Sequence, residues 1–177
     1  MTMNQIVTKY KFPQKIYFHA VLKKIAKLVC KSQGKPLNVI DFGCGTGLLK
    51  SFIEQIDSKI EVTGYDIEPD LSDIEDPWAI PYDIWVFNHV LMYMSEVEIS
   101  DLLCKIKLMN PNALIIIGAG RQNYLSKMGS ILLNQNAHNA TISSIDSQIN
   151  TIQKQLKVIS KSSVYLMTEI MSCRFKH

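Results

Sequence analysis

The sequence predicts a doubly wound α/β domain with a mostly parallel sheet, with residues 1–177 forming one unit. Three observations predict it. Residues 37–47 (Leu-Asn-Val-Ile-Asp-Phe-Gly-Cys-Gly-Thr-Gly) run from an apolar strand through a carboxylate into glycines at every second position, and 48–56 continue as an amphipathic helix. Residues 61–66 read as a second strand that ends on another carboxylate, Asp66. Two nearly all-apolar runs, 83–88 and 113–117, flank a helical stretch, as strands covered on both faces do.

The elements follow in chain order. Pro13 fits the start of a helix running to about Lys31, with Tyr17, Phe18, Val21, Leu22, Ile25, Leu28 and Val29 at helical spacing. Lys15, Lys23, Lys24, Lys27 and Lys31 decorate its other side, and Gly34 and Pro36 end it. Residues 1–36 are thus a basic N-terminal helix packed on the sheet. In the helix after the glycines, Leu48, Leu49, Phe52, Ile53 and Ile56 share one face. Ser95-Glu96-Val97-Glu98 is a capping box, and its helix continues through Ile99, Leu102, Leu103 and Ile106. Asn110-Pro111-Asn112 turns the chain into the strand at 113–117, which ends at Gly118-Ala119-Gly120. Residues 121–143 are polar and follow a strand end, which makes them a candidate substrate lid. A helix with Ile145, Ile149, Ile152 and Leu156 comes next, and 157–165 and 168–175 then read as an antiparallel hairpin at the sheet edge.

Composition narrows the class. Cys30, Cys44, Cys104 and Cys173 form no C-x-x-C pair, and the four histidines (His19, His89, His138, His177) have no metal-ligand spacing. That argues against a disulfide framework or a metal site and for a cytoplasmic protein. The N-terminus lacks the apolar core of a signal peptide, and no apolar run approaches a membrane span. Charge is uneven: the first 40 residues hold eight lysines and no acid, while 60–104 hold eleven of the sixteen acids and no Lys or Arg. The plain reading is a solvated basic helix. The sharper one is contact with something anionic, such as a lipid headgroup, a phosphorylated carrier or RNA. Aromatics do not interleave with the basic residues in the RNA-recognition manner.

The glycine spacing decides the ligand class. A dinucleotide fingerprint, G-x-G-x-x-G, would need glycine at position 48 or 50, where Leu48 and Lys50 stand, and no Gly-Lys-Ser/Thr phosphate loop follows. What fits is D-x-G-x-G-x-G, met without a gap by Asp41-Phe42-Gly43-Cys44-Gly45-Thr46-Gly47. On this motif the chain resembles the class I S-adenosylmethionine-dependent methyltransferases over nearly its whole length. Asp66 lies 19 residues after Gly47, near the spacing at which such folds place an acid on a ribose.

The resemblance implies a Rossmann-like methyltransferase fold with S-adenosyl-L-methionine as cofactor. It implies contacts from Asp41, Gly43, Cys44, Gly45, Gly47 and Asp66, with Ile67 on one face of the adenine and Asn88 at the methionine end. Only 16 residues separate Asp66 from Asp83, too few for the family's helix and third strand, so that strand is reduced or missing. The acidic adenine contact goes with it, and Asp76 or Trp78 is left as a substitute. His89 is the candidate catalytic residue, as a general base toward a hydroxyl or as a positioning histidine. His138, in the candidate lid, is a weaker base candidate, Tyr10 and Tyr17 are candidates to close the cofactor pocket from the N-terminal side, and Arg121 is a candidate to bind an anionic substrate. Asn88-His89-Val90-Leu91 departs from the Asn-Pro-Pro-Tyr motif of DNA and protein amide methylases. The expected acceptor is therefore a small molecule or a glycan- or lipid-linked headgroup, with peripheral membrane contact open and nucleic acid disfavoured. The alternatives are a cofactor-binding partner subunit without transferase activity, or an RNA methyltransferase using the basic helix.

Overall fold

The computed structural model describes residues 12–32, 37–121, 142 and 144–176. Helix α1 (Phe12–Cys30) leads into β1 (Asn38–Phe42), α2 (Leu48–Ile56) and β2 (Glu61–Tyr65). Strand β3 (Ile84–Asn88), α3 (Glu96–Met109), β4 (Leu114–Gly120), α4 (Ile145–Gln155), β5 (Leu156–Val164) and β6 (Thr168–Phe175) follow. The six strands lie in the order β2-β1-β3-β4-β6-β5. The first four are mutually parallel, and β6 runs antiparallel to both β4 and β5. The sheet is that of the predicted fold, with its antiparallel C-terminal hairpin.

The winding follows from strand alternation. Ile84 and Val86 of β3 pack with Val21, Ile25 and Val29 of α1 and with Leu49 and Ile53 of α2. Trp85 and Phe87 point the other way, into the cluster with Ile99, Leu103 and Ile106 of α3 and Ile152 of α4. Each face is thus covered by two helices, which is why the central strands carry almost no polar residue. The capping box forms as the sequence suggests: Ser95 Oγ accepts from Glu98 N, and Glu98 Oε2 accepts from Ser95 N at 2.7 Å.

No strand lies between β2 and β3. Their connection holds a short 3-10 turn (Pro69–Leu71) and otherwise irregular chain. Side chains and one backbone amide take up the outer edge of β2 in its place. Asp73 Oδ2 accepts from Gly64 N at 2.9 Å, Asp73 N donates to Gly64 O at 2.9 Å, and Ser72 Oγ accepts from Asp66 N at 3.2 Å. Lys50 closes the arrangement with an ion pair to Asp73 at 3.1 Å. An edge that would otherwise offer bare N–H and C=O groups is satisfied locally.

Candidate active site

The carboxyl ends of β1, β2, β3 and β4 face one crevice, where ligands of open parallel sheets bind. Gly43, Gly45 and Gly47 all take left-handed backbone angles (φ 79°, 53° and 68°). Gly43 also has no room for a side chain, since a Cβ there would lie 2.6 Å from Val90 Cγ2. The glycine loop and the segment after β3 are therefore in direct contact.

Four of the loop amides are spent inside the protein. Gly43 N and Cys44 N both donate to Tyr65 O, at 2.7 and 3.0 Å, and Gly47 N donates to Cys44 O at 3.0 Å. Gly45 N donates to Asp66 Oδ2 at 2.8 Å. A phosphate-binding loop needs such N–H groups turned outward. This loop instead presents its backbone surface beside two carboxylates. Asp41 is buried, and burial first, then the nearby charge of Asp66, pushes its carboxyl up to about 7. The Cys44 thiol is pushed up to about 12 by burial and then by Asp41, Asp66 and Asp73, and it donates to Leu71 O at 3.3 Å. It is a packing thiol that ties the loop to the segment after β2.

Asp66 Oδ1 accepts from Glu68 N at 3.1 Å, so each Asp66 oxygen has one hydrogen bond and spare acceptor capacity. Ile67 follows it with 86% of its surface exposed, a large apolar side chain on the crevice rim. Asn88 Oδ1 is buried without a hydrogen-bond partner among the described residues. It sits in the space left by Gly118, where a Cβ would come within 2.6 Å of it. Buried acceptors are rarely left unpaired, so this oxygen suits a donor brought by a ligand.

His89 takes a left-handed conformation (φ 58°) straight after β3, a position uncommon for a non-glycine residue. Its Nε2 lies 3.2 Å from Thr168 Oγ1, and Tyr17 Oη also hydrogen-bonds that hydroxyl. Thr168 is fully buried. Burial pushes the Tyr17 phenol up against the opposing effect of its Thr168 bond, keeping it protonated. Helix α1, the end of β3 and the start of β6 thus meet at one hydroxyl. Sequence reasoning missed Thr168, which reads as an ordinary strand-forming residue.

Three of the candidates have partners within the protein. Trp78 packs on Trp85 with ring centroids 5.2 Å apart, under Lys105 Nζ at 4.0 Å, and so covers the core on the α3 side. Exposed Asp76 accepts from Trp78 N at 3.0 Å and shapes that turn. Arg121 donates to Glu169 Oε2 through Nε and Nη2 at 3.3 and 2.7 Å. Burial pushes the Glu169 carboxyl up, but Arg121 and Lys161 outweigh it and hold it below its ordinary range. The guanidinium is thus engaged in an ion pair at the sheet. Tyr10, Gly34, Pro36, His138 and nearly all of the proposed lid lie outside the described residues.

Comparisons with family models and with curated proteins give no match. Solved structures do match. The PH0226 protein of Pyrococcus horikoshii OT3 superposes with a TM-score of 0.65 at 14% identity, covering 92% of both chains. The pyocyanin biosynthetic protein PhzM gives 0.71 at 12% identity, covering 99% of this chain and 62% of that one. Human N-acetylserotonin methyltransferase, solved in complex with S-adenosylmethionine, gives 0.60 at 15% identity, covering 90% and 55%. The chain spans little more than half the length of the last two proteins. With this sheet order, hairpin and helix arrangement, the fold is that of the class I S-adenosylmethionine-dependent methyltransferases.

Proposed function

We propose that the chain transfers a methyl group from S-adenosylmethionine to a small molecule or to a glycan- or lipid-linked headgroup. The observation that carries this reading is the pairing of Asp41 and Asp66 with a glycine loop in which the amides of Gly43, Cys44, Gly45 and Gly47 are already hydrogen-bonded. That combination suits a cationic nucleoside and not a phosphate. Among methyltransferases of similar fold, one is solved with S-adenosylmethionine bound, which supports the same cofactor here.

The residues present fit that group. The free acceptor capacity of Asp66 matches a ribose diol, and Ile67 offers an apolar surface to the adenine. Asp41 favours the cationic methionine end, and the buried Asn88 Oδ1 accepts from its ammonium group. When bound, the cofactor supplies an electrophilic methyl carbon on a sulfonium sulfur. The protein's part is to hold the acceptor in line and exclude water. His89 takes the proton from an acceptor hydroxyl, with Thr168 orienting the ring.

Calorimetric titration with S-adenosylmethionine and with its demethylated product tests the cofactor. Micromolar binding of at least one is expected, and no binding of either would remove the proposal. A labelled-methyl transfer screen against cell extracts, read by product mass, identifies the acceptor. Full turnover by His89→Ala would remove the proton-transfer role.

A further inference from the structure

Helix α1 carries a feature that the cofactor site does not use. At about 100° per residue, Ile16, Lys23, Lys24, Lys27 and Lys31 fall within an arc of roughly 100°. All five are exposed, and they lie opposite the buried Val21, Leu22, Ile25 and Val29. No acid stands on α1, the first in the chain being Asp41. The neighbouring α2 brings Glu54, and Asp57 caps its end, yet among the described residues no carboxylate lies within ion-pair distance of an α1 lysine. The positive field reaches its surroundings: His19, on the edge of the stripe, is held below its ordinary range by burial and then by Lys15 and Lys23.

We propose that this stripe is a docking surface for an anionic lipid bilayer. Three features favour a bilayer over nucleic acid. The cations are all lysines, and the only two arginines, Arg121 and Arg174, lie outside α1. Lysine acts as a point charge, which suits a diffuse anionic surface, whereas base and phosphate readout leans on the planar arginine fork. Ile16 stands 47% exposed in the same arc, an apolar group with a place at a headgroup boundary. Among the described residues the exposed arc presents no aromatic ring on which a base could stack. Among the described residues no helix is long and apolar enough to cross a membrane, so the contact is peripheral.

Tyr17, which reaches Thr168 at the crevice, precedes Lys23 by about 9 Å along the same helix. Docking by the stripe would hold the crevice close to the bilayer surface. The use of that closeness for a lipid-linked acceptor rests on the proposed function, but the docking itself does not.

Co-sedimentation with vesicles tests it. The full chain is expected to bind vesicles of phosphatidylcholine with about one third phosphatidylglycerol, to ignore pure phosphatidylcholine, and to be released at high salt. With each lysine contributing roughly fivefold, Lys23→Gln, Lys24→Gln, Lys27→Gln and Lys31→Gln together should weaken binding on the order of 100-fold or more. The corresponding four Lys→Arg changes should keep it. Circular dichroism and S-adenosylmethionine titration of the same variants show whether fold and cofactor site are intact, which separates failure here from failure of the methyltransferase reading. Equal binding to neutral vesicles, an unaffected glutamine variant, or displacement from vesicles by a short RNA would each overturn the proposal.

Discussion

The hydroxyl of Thr168 lies 3.2 Å from His89 Nε2, across 79 residues of sequence, and is wholly buried. It also meets the phenol of Tyr17 in α1. Removing a buried hydroxyl that serves two partners costs roughly 1–3 kcal/mol. Thr168→Val should therefore destabilise the protein by about that much, and Thr168→Ser by less. Nitrogen NMR of the His89 ring should report a changed tautomer balance or titration in the valine variant and a wild-type signal in the serine variant. An unchanged ring in folded Thr168→Val would show that this hydroxyl does not orient His89.

Asp41 makes stability depend on pH in an unusual direction. Burial holds its native carboxyl at about 7 against an ordinary value of 3.8, so between those values the folded state holds a proton the unfolded state has lost. The contribution is most favourable in acid and falls as pH rises toward 7, by on the order of 4 kcal/mol at ~1.4 kcal/mol per pH unit. Asp73 and Glu169, both held below their ordinary range, push the other way. The comparison with Asp41→Asn isolates the effect: that variant should gain on the wild type from pH 5 to pH 8 in denaturant unfolding of the ligand-free protein. S-adenosylmethionine should bind the wild type more tightly at pH 8 than at pH 6, and the asparagine variant should lose that dependence.

Asp66 serves both the loop and, on our proposal, the ribose. Hydrogen bonds to a charged group are worth roughly 1.5–3 kcal/mol each. Asp66→Ala should weaken S-adenosylmethionine binding at least tenfold in calorimetry while the far-ultraviolet circular dichroism stays unchanged. Wild-type affinity in a folded variant would remove the ribose assignment.

Gly43 and Gly45 separate two kinds of glycine requirement. A side chain at Gly43 collides with Val90, whereas nothing lies within 4 Å of a Cβ at Gly45. Gly45→Ala should cost only about 1–2 kcal/mol for its left-handed backbone. Gly43→Ala should cost more and also shift the segment leading from His89. Chemical denaturation of the two variants should rank them in that order.

The outer edge of β2 offers a further check. Asp73→Ala removes the acceptor of Gly64 N and the partner of Lys50 together. The freed edge should pair with other molecules, and light scattering at raised protein concentration should show self-association that the wild type lacks.

Much of this was legible in the sequence because the signals are local. The nearly continuous apolar runs of β1 and β3 and the capping box of α3 each lie within a few residues. The absent strand was readable from the short span between Asp66 and Asp83. Other features were not, because they join distant residues. Asp73 and Ser72 looked like members of an acidic loop until β2 was beside them. Thr168, at the start of the last strand, showed no link to His89. Arg121 looked like a free cation because Glu169 is 48 residues away. Trp78 was ambiguous because only packing decides which side of the sheet an indole covers.

The placement of β6 between β4 and β5 has a consequence for how the molecule is made. A ribosome delivers the chain from the N-terminus, so β1 to β4 emerge with the outer side of β4 unpaired. His89 waits without its hydroxyl partner until residue 168 is exposed, and the half-sheet meanwhile presents a long sticky margin. Strand β6, synthesised after β1 to β4, both covers the free side of β4 and supplies the hydroxyl that meets His89. A chain cut short before β6 would therefore lack this contact to His89 as well as part of the sheet.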